Sequence, residues 1–496
     1  MFSNISEIMN NKKTNLKGNF YITTTLPYVN AEAHLGHALE FVRADAIARY
    51  KKIQGHEVFF NTGTDEHGVK IFNKAKELGV ETQAYVDDYA ARFKALLPKL
   101  GIMPEINFIR TSDRNHIESA IAFWTKCREN GYIEKRKYSV KYCVGCELEK
   151  TDSELVNGKC PDHPNREIEL LNEENYFFKF SAFQDRLLKL YKDQPDFVVP
   201  DFRLNEIKSF VERGLSDFSI SRLKTKMPWG IEVPGDPDQV MYVWFDALVN
   251  YISAIGWPEE MEKFEKWWPV TQYCGKDNLR QQSAMWQAML MSVDLPCSKQ
   301  VIVNGFVTGA GGIKMSKDLG NVINPLDIIS EYGTETLRYF VLRELHPFED
   351  TPFTTEGLKE AYNANLANGI GNLTSRVLKM ADSYQIYLTM EDIDDELLRS
   401  NPDEYDEAFK NFKLNIAMDS IWSLIRESDS YIQREQPFKK IKIDPEAASL
   451  DLKHLLKNLL TIGRLMQPLL PETSAKVIQA VRLGKALTEP LFMRKE

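Results

Sequence analysis

From Asn19 the chain reads NFYITTTLP, a short run of aromatic and β-branched residues that stops at Pro27 and predicts a strand. After a loop, HALEFVRADAIARYKKIQG places apolar residues at helical spacing and closes on Gly55, which predicts a long amphipathic helix. EVFFNTG then predicts a second strand. Strand, helix and strand in so short a span open a βαβ unit, and a βαβ unit implies a parallel sheet. Two later stretches, QVMYVWFDA (239–247) and KQVIVNGF (299–306), are apolar on both faces, as strands covered by helices on each side are, and are expected in the same sheet. Residues 1–18 are polar and aperiodic, so a flexible N-terminal extension is expected.

The alternation breaks between the two halves of this pattern. Residues 113–237 hold a cysteine cluster, short aromatic strands such as ENYFFKF and repeated Pro and Gly breaks, and are expected to form a domain inserted between residues 19–112 and 238–354. From 355 to 496 the pattern turns helical, with Leu366, Ile370, Leu373 and Val377 at helical spacing. Within it, EDIDDELLRSNPDEYDE is expected to be a solvated helix end and turn.

Composition narrows the class. A chain of 496 residues with 43% hydrophobic and 27% charged residues is an ordinary globular protein of several domains, neither disordered nor collagen-like. No apolar run is long enough to span a membrane and the N-terminus lacks the apolar core of a signal peptide, so a cytoplasmic location and no membrane partner are expected. The net charge of −9 speaks against sequence-independent nucleic-acid binding as the main task, though not against a local RNA-binding face.

Six cysteines in so long a chain make no disulfide framework; their clustering carries more meaning. Cys143 and Cys146 form a CxxC, and Cys160 and His163 a CxxH, joined across a VNGK turn. Four such donors suit a tetrahedral zinc ion with no position left for water, hence one structural ion at 143–163. Cys127, Cys274 and Cys297 are expected to be small core residues.

The loop after the first strand reads LPYVNAEAHLGHALE, putting His34, Gly36 and His37 where a helix begins. Imidazoles and free backbone N–H groups at a helix N-terminus make a phosphate site; taken alone, the same pair is as well explained as a helix cap. GAGGIKMSKDLGN follows the VIVN strand and sets Lys314 and Lys317 beside Ser316. Open α/β sheets bind ligands beyond the carboxyl ends of their strands, so the two segments together read as the halves of a triphosphate clamp. Neither GxxxxGK[ST] nor GxGxxG occurs.

HLGH followed far downstream by KMSKD resembles the two signature motifs of class I aminoacyl-tRNA synthetases. LPYVNAEAHLGH, NTGTDEHG, YVWFDALVNY, GKDNLR and KMSKDLGNV narrow the resemblance to the methionyl-tRNA synthetase family. It covers nearly the whole chain, and the interval from His34 to Lys314 leaves no room for a large editing domain. It implies an α/β fold: a Rossmann-like parallel-sheet catalytic domain split by a zinc-knuckle insertion, followed by an α-helical bundle that binds the anticodon. It also implies ligation of methionine to methionine tRNA, elongator and initiator, through methionyl-adenylate, with Mg²⁺ accompanying ATP.

By that resemblance His34, His37, Lys314 and Lys317 serve catalysis, with Gly36, Asp277 and Ser316 also at ATP. Leu26, Tyr28, Asp65, Trp244, Ala247 and Tyr251 form the methionine pocket, Asp65 taking the ammonium group. Asn372 and Arg376, one turn apart on a helix, and Phe438 read the anticodon. The chain departs from the family where Leu248 replaces a common Pro, Gln282 a common His, Asp318 a usual Ser and Phe438 a usual Trp. No oligonucleotide-binding barrel follows the helical tail, so a monomer is expected. Other readings of the residues are a leucine or cysteine synthetase, an idle zinc-containing RNA-binding protein, and a small-molecule nucleotidyltransferase.

Overall fold

The structure is a computed structural model and describes residues 17–146, 148–150, 154–313, 315 and 322–496. At its centre is a six-stranded, all-parallel sheet in the order Asn107–Arg110, Glu57–Thr64, Asn19–Thr24, Thr271–Gly275, Gln300–Asn304 and Val198–Val199. The first strand pairs with Glu57–Thr64 on one side (Tyr21 opposite Phe59) and with Thr271–Gly275 on the other (Thr23 opposite Gln272). Side chains alternate between two apolar layers: Phe20, Ile22, Tyr273 and Ile302 enter one, Tyr21, Cys274, Val301 and Val303 the other. A strand buried on both faces reads as a continuous apolar run, which is why residues 299–306 were legible as one.

The expected strand at 239–247 is different. Asp236–Met241 is a strand, but it belongs to a separate antiparallel sheet with Ser221–Leu223 and Glu232–Val233. Val243–Leu248 is a helix whose first turn carries Asp246. The Val233–Pro234–Gly235–Asp236 corner turns a hairpin, and a short apolar run does not distinguish a strand from a buried helix. The place in the parallel sheet is taken by Thr271–Gly275, fully buried despite its polar Thr and Gln.

The Leu35–Ile53 helix returns over the sheet and is pinned by Arg43, whose buried guanidinium donates to the carbonyls of Val341, Leu345, His346 and Pro347. The segment expected as an insertion carries a four-stranded antiparallel sheet, ordered Leu148–Lys150, Ile133–Cys143, Glu169–Phe178 and Phe218–Ser219. Two of its pieces join the parallel sheet and its core: the Arg114–Glu129 helix supplies Phe123 and Trp124 to the layer holding Tyr251 and Trp286, and Val198–Val199 forms the sheet edge.

The tail packs onto the other layer through Leu366, Ile370, Leu373 and Val377, all buried. Arg338 ties it down: it pairs with buried Asp45 at 2.8 Å and donates to the carbonyls of Leu100 and Leu469. The acidic stretch is less solvated than its composition implied. Asp392 pairs with Lys457 and Asp394 with Arg482 on neighbouring helices. Among the described residues no helix is long and apolar enough to cross a membrane.

Candidate active site

The sheet order reverses between the first strand and Thr271–Gly275, and a cleft of about 450 Å³ opens beyond the carboxyl ends of these two strands. Leu26, Tyr28, His34, Gly36, His37, Asp65, Trp244, Ala247, Tyr251 and Asp277 all line it. Lys314, Ser316, Lys317 and Asp318 lie outside the described residues.

On the phosphate side, His34 is the residue before the Leu35–Ile53 helix, and the rings of His34 and His37 stack with centroids 3.8 Å apart. His37 Nδ1 accepts from the His34 backbone N–H at 3.2 Å. The pair therefore caps the helix and lines the cleft at once, so the two explanations open at the sequence are compatible. A Cβ at Gly36 would sit 3.0 Å from the His34 ring, so glycine lets the imidazole fold over the backbone. The Leu35 N–H donates to Ile323 O at 2.9 Å, bringing the chain just after the KMSKD segment against the start of this helix.

Opposite, Asp277 is exposed at the cleft, with its Oδ1 2.7 Å from where a Cβ at Gly275 would stand. The floor is Glu40, which accepts from Thr25 N at 2.6 Å and Thr25 Oγ1 at 2.5 Å. Burial pushes its carboxyl up to about 8; the Thr25 bonds oppose the shift and Asp277 adds to it. Glu40 was not singled out from the sequence, although it lies three residues beyond His37 and so on the same helical face.

On the amino-acid side, Asp65 is held by its backbone: its N–H donates to Pro27 O at 2.9 Å and its carbonyl accepts from Val29 N at 3.1 Å. This joins the loops after the first two strands. Trp244 and Ala247 are half-buried on the Val243–Leu248 helix, and Tyr251 is buried in the next turn. Gln282, where an imidazole is usual, donates from Nε2 to Tyr251 Oη at 2.6 Å and accepts from Gln272 Nε2 at 2.5 Å. Leu248 also lines this wall.

The cysteine cluster lies at the rim. Cys146 and Lys70 border the cleft, and Lys70 Nζ donates to Gly145 O at 2.8 Å. Donor atoms of Cys143, Cys146, Cys160 and His163 all lie within 4.8 Å of one another. Cys146 Sγ stands 3.4 Å from Cys160 Sγ and 3.2 Å from His163 Nδ1. Tetrahedral zinc at about 2.3 Å from each thiolate sets neighbouring sulfurs about 3.8 Å apart, so the donor set fits a four-coordinate metal. The VNGK turn brings the halves together through paired Val156 and Lys159, with Asn157 and Gly158 at positive φ. Cys127 and Cys274 are buried and Cys297 partly so.

In the tail, Asn372 and Arg376 share the Asn372–Ser383 helix, Asn372 exposed and Arg376 Nη1 bonded to Asp429 Oδ1 at 2.9 Å. Phe438 is 40% exposed on the Pro437–Lys440 turn, so packing does not account for it.

Comparison with known proteins agrees with this arrangement. Residues 20–169 and 164–378 match the family of class I tRNA synthetases (M), and 389–489 match the anticodon binding domain of methionyl tRNA ligase. The methionine–tRNA ligase of Caldanaerobacter subterraneus is 39% identical across 95% of this chain and 75% of its own length; that of Thermotoga maritima is 39% identical across 93% and 75%. The Mycobacterium tuberculosis methionyl-tRNA synthetase in complex with methionyl-adenylate superposes with a TM-score of 0.87 at 32% identity, over 97% of this chain and all of that one. With both halves of the parallel sheet and the helical tail matched, the chain belongs to the methionyl-tRNA synthetases of class I.

Proposed function

We propose that the chain ligates methionine to methionine tRNA in two steps. The methionine carboxylate attacks the α-phosphate of ATP, forming an acyl–phosphate bond as pyrophosphate leaves. A terminal ribose hydroxyl of the tRNA then attacks the acyl carbon and AMP departs. The observation that carries this reading is the convergence of the His34–His37 helix start, Asp277 and the Asp65 and Trp244 walls on one cleft in a chain of this family.

No side chain acts as a nucleophile; catalysis is positioning and charge stabilisation. His34 and His37 bind phosphate oxygens at the helix N-terminus, Gly36 lets them approach, and Lys314, Ser316 and Lys317 supply further charge and hydrogen bonds to the phosphates. Asp277 holds the ribose and magnesium accompanies ATP. Asp65 takes the substrate ammonium, while Leu26, Tyr28, Trp244, Ala247 and Tyr251 enclose the thioether. Cys143, Cys146, Cys160 and His163 hold one structural zinc ion, which supplies a cross-link rather than a reactive group.

Residues 19–112 and 238–354 are the catalytic halves, 113–237 the insertion apart from the Arg114–Glu129 helix and Val198–Val199 that pack with the parallel sheet, and 355–496 the anticodon-reading domain, where Asn372, Arg376 and Phe438 meet unstacked bases of elongator and initiator tRNA. The reading places the enzyme in the cytoplasm as a monomer. Pyrophosphate exchange run with each amino acid tests it: methionine alone supports exchange, and exchange with leucine or cysteine, or with none, rejects it. Lys317→Ala should slow adenylate formation by roughly two to three orders of magnitude while methionine affinity stays within about threefold; equal losses remove Lys317 from its role.

A further inference from the structure

Behind the amino-acid wall lies a cluster that neither phosphate binding nor substrate contact uses. The Asp246 side chain has no solvent exposure; its Oδ2 is 3.1 Å from His67 Nδ1 and its Oδ1 is 3.8 Å from His116 Nε2. His116 is equally buried, and its Nδ1 is 3.0 Å from Ser253 Oγ. Three segments thus meet on one carboxylate. Asp246 and Ser253 belong to the turns that carry Trp244, Ala247 and Tyr251; His67 follows Asp65 by two residues; His116 lies on the Arg114–Glu129 helix.

The His67 loop is itself fixed. Trp229 Nε1 donates to Glu66 O at 2.6 Å, and the Gly68 N–H donates to Trp229 O at 3.1 Å. Gly68 has φ +117, and a Cβ there would stand 2.3 Å from Tyr28 Oη, so the loop packs directly against another cavity residue. Burial alone would push the Asp246 carboxyl upward, yet the two imidazoles outweigh it and the net shift is downward. Burying such a charge is costly, and an apolar contact would join the same elements without that desolvation. What an apolar contact does not supply is direction: it can slide, whereas a hydrogen-bonded carboxylate sets both distance and angle.

We propose that Asp246, through its contact with His67, is a positioning residue that holds the Trp244–Ala247–Tyr251 wall in register with the loop bearing Asp65. A thioether seated against the wall then presents its ammonium group to Asp65 at one fixed distance. The proposal rests on the reading of this cleft as the methionine site.

The test compares calorimetric binding of methionine and of its des-amino analogue, which keeps the carboxylate and thioether, to the metal-loaded full chain. Asp65→Asn sets the reference for loss of the ammonium contact. In Asp246→Asn the preference for methionine over the analogue falls by about tenfold or more, toward the Asp65→Asn level, while analogue affinity changes by less than about threefold. Equal weakening of both ligands overturns the proposal, since general loosening does not single out the ammonium group. His67→Gln, which keeps a side-chain donor, retains the preference within about threefold and His67→Leu loses it. If Asp246→Asn fails to fold, this pair decides alone, and equal preference in the two variants overturns the proposal. If Asp65→Asn leaves the preference intact, the reading of the cleft fails first and the proposal falls with it.

Discussion

The cysteine knuckle and the catalytic cleft touch at Cys146 and Lys70 but are built on opposite principles. The knuckle draws its donors from Cys143 to His163, one short stretch closed by a tight turn. The cleft draws its walls from Thr25 to Val307 and relies on a six-stranded parallel sheet to bring them together. A local site stabilised by metal ligation concentrates its stability in a few bonds, whereas a site assembled at a sheet switch point spreads its stability through the core. The first should fail by losing one atom. The second should yield gradually.

The largest effect follows from removing a donor. Cys160→Ser should abolish stoichiometric metal binding and unfold the knuckle locally, because ligation free energies on the order of ten kcal/mol substitute there for a core. Metal content together with hydrogen exchange checks this, and protection in the central strands should stay near its original level. Simultaneous loss of protection throughout the sheet would erase the contrast.

Inside the cleft, Glu40→Gln should show a pH-dependent gain. The Glu40 carboxyl rises from its ordinary value to about 8 on folding, so the folded chain holds its proton more tightly than the unfolded one. Its favourable contribution is complete below the unfolded value near 4.5 and is lost as pH rises toward 8. The glutamine variant does not titrate, so its stability relative to the parent should increase across that window by up to a few kcal/mol, on the order expected for such a shift, and then level off. Thermal melts at acid, neutral and alkaline pH measure it; a constant offset would contradict the assignment.

Gln282→Leu should cost about 1–3 kcal/mol, since it leaves the buried Gln272 amide and Tyr251 hydroxyl without their bonds to the Gln282 side chain. Chemical denaturation gives the loss, and methionine affinity should fall with it because Tyr251 lines the cleft. The smallest effect belongs to the link between the two regions. Lys70→Met removes the bond to Gly145 O and should lower global stability by about 1 kcal/mol, while hydrogen exchange in the knuckle rises.

How much of each region was legible in sequence follows from the same contrast. The knuckle could be read from CxxC, a turn and CxxH, because its geometry is set by neighbours in the chain. For the cleft, the residues at strand ends and at the helix start could be named, since the carboxyl ends of parallel strands are where such sheets bind. The strand that leads into the Asp277 turn could not. Thr271–Gly275 has no apolar alternation to announce it, and the louder run at 239–247 turned out to be a hairpin strand followed by a helix. Likewise composition sets 113–237 apart, while Val198–Val199 within it is held at the sheet edge by pairing with Val301 and Ile302, partners far along the chain.

The sequence by itself determined the local chemistry: a βαβ opening, four clustered side chains that suit a metal, two stacked-capable histidines at a helix N-terminus, and a helical tail. Tertiary structure alone decided which residues share a wall. Asp246 reads as one acidic residue in an aromatic run, and only the fold sets it within 3.1 Å of His67, 179 residues away in sequence. The physical reason is that periodicity and turn chemistry act over a few residues, whereas contacts between distant segments form only when burial of the shared core offsets the entropy of bringing them together.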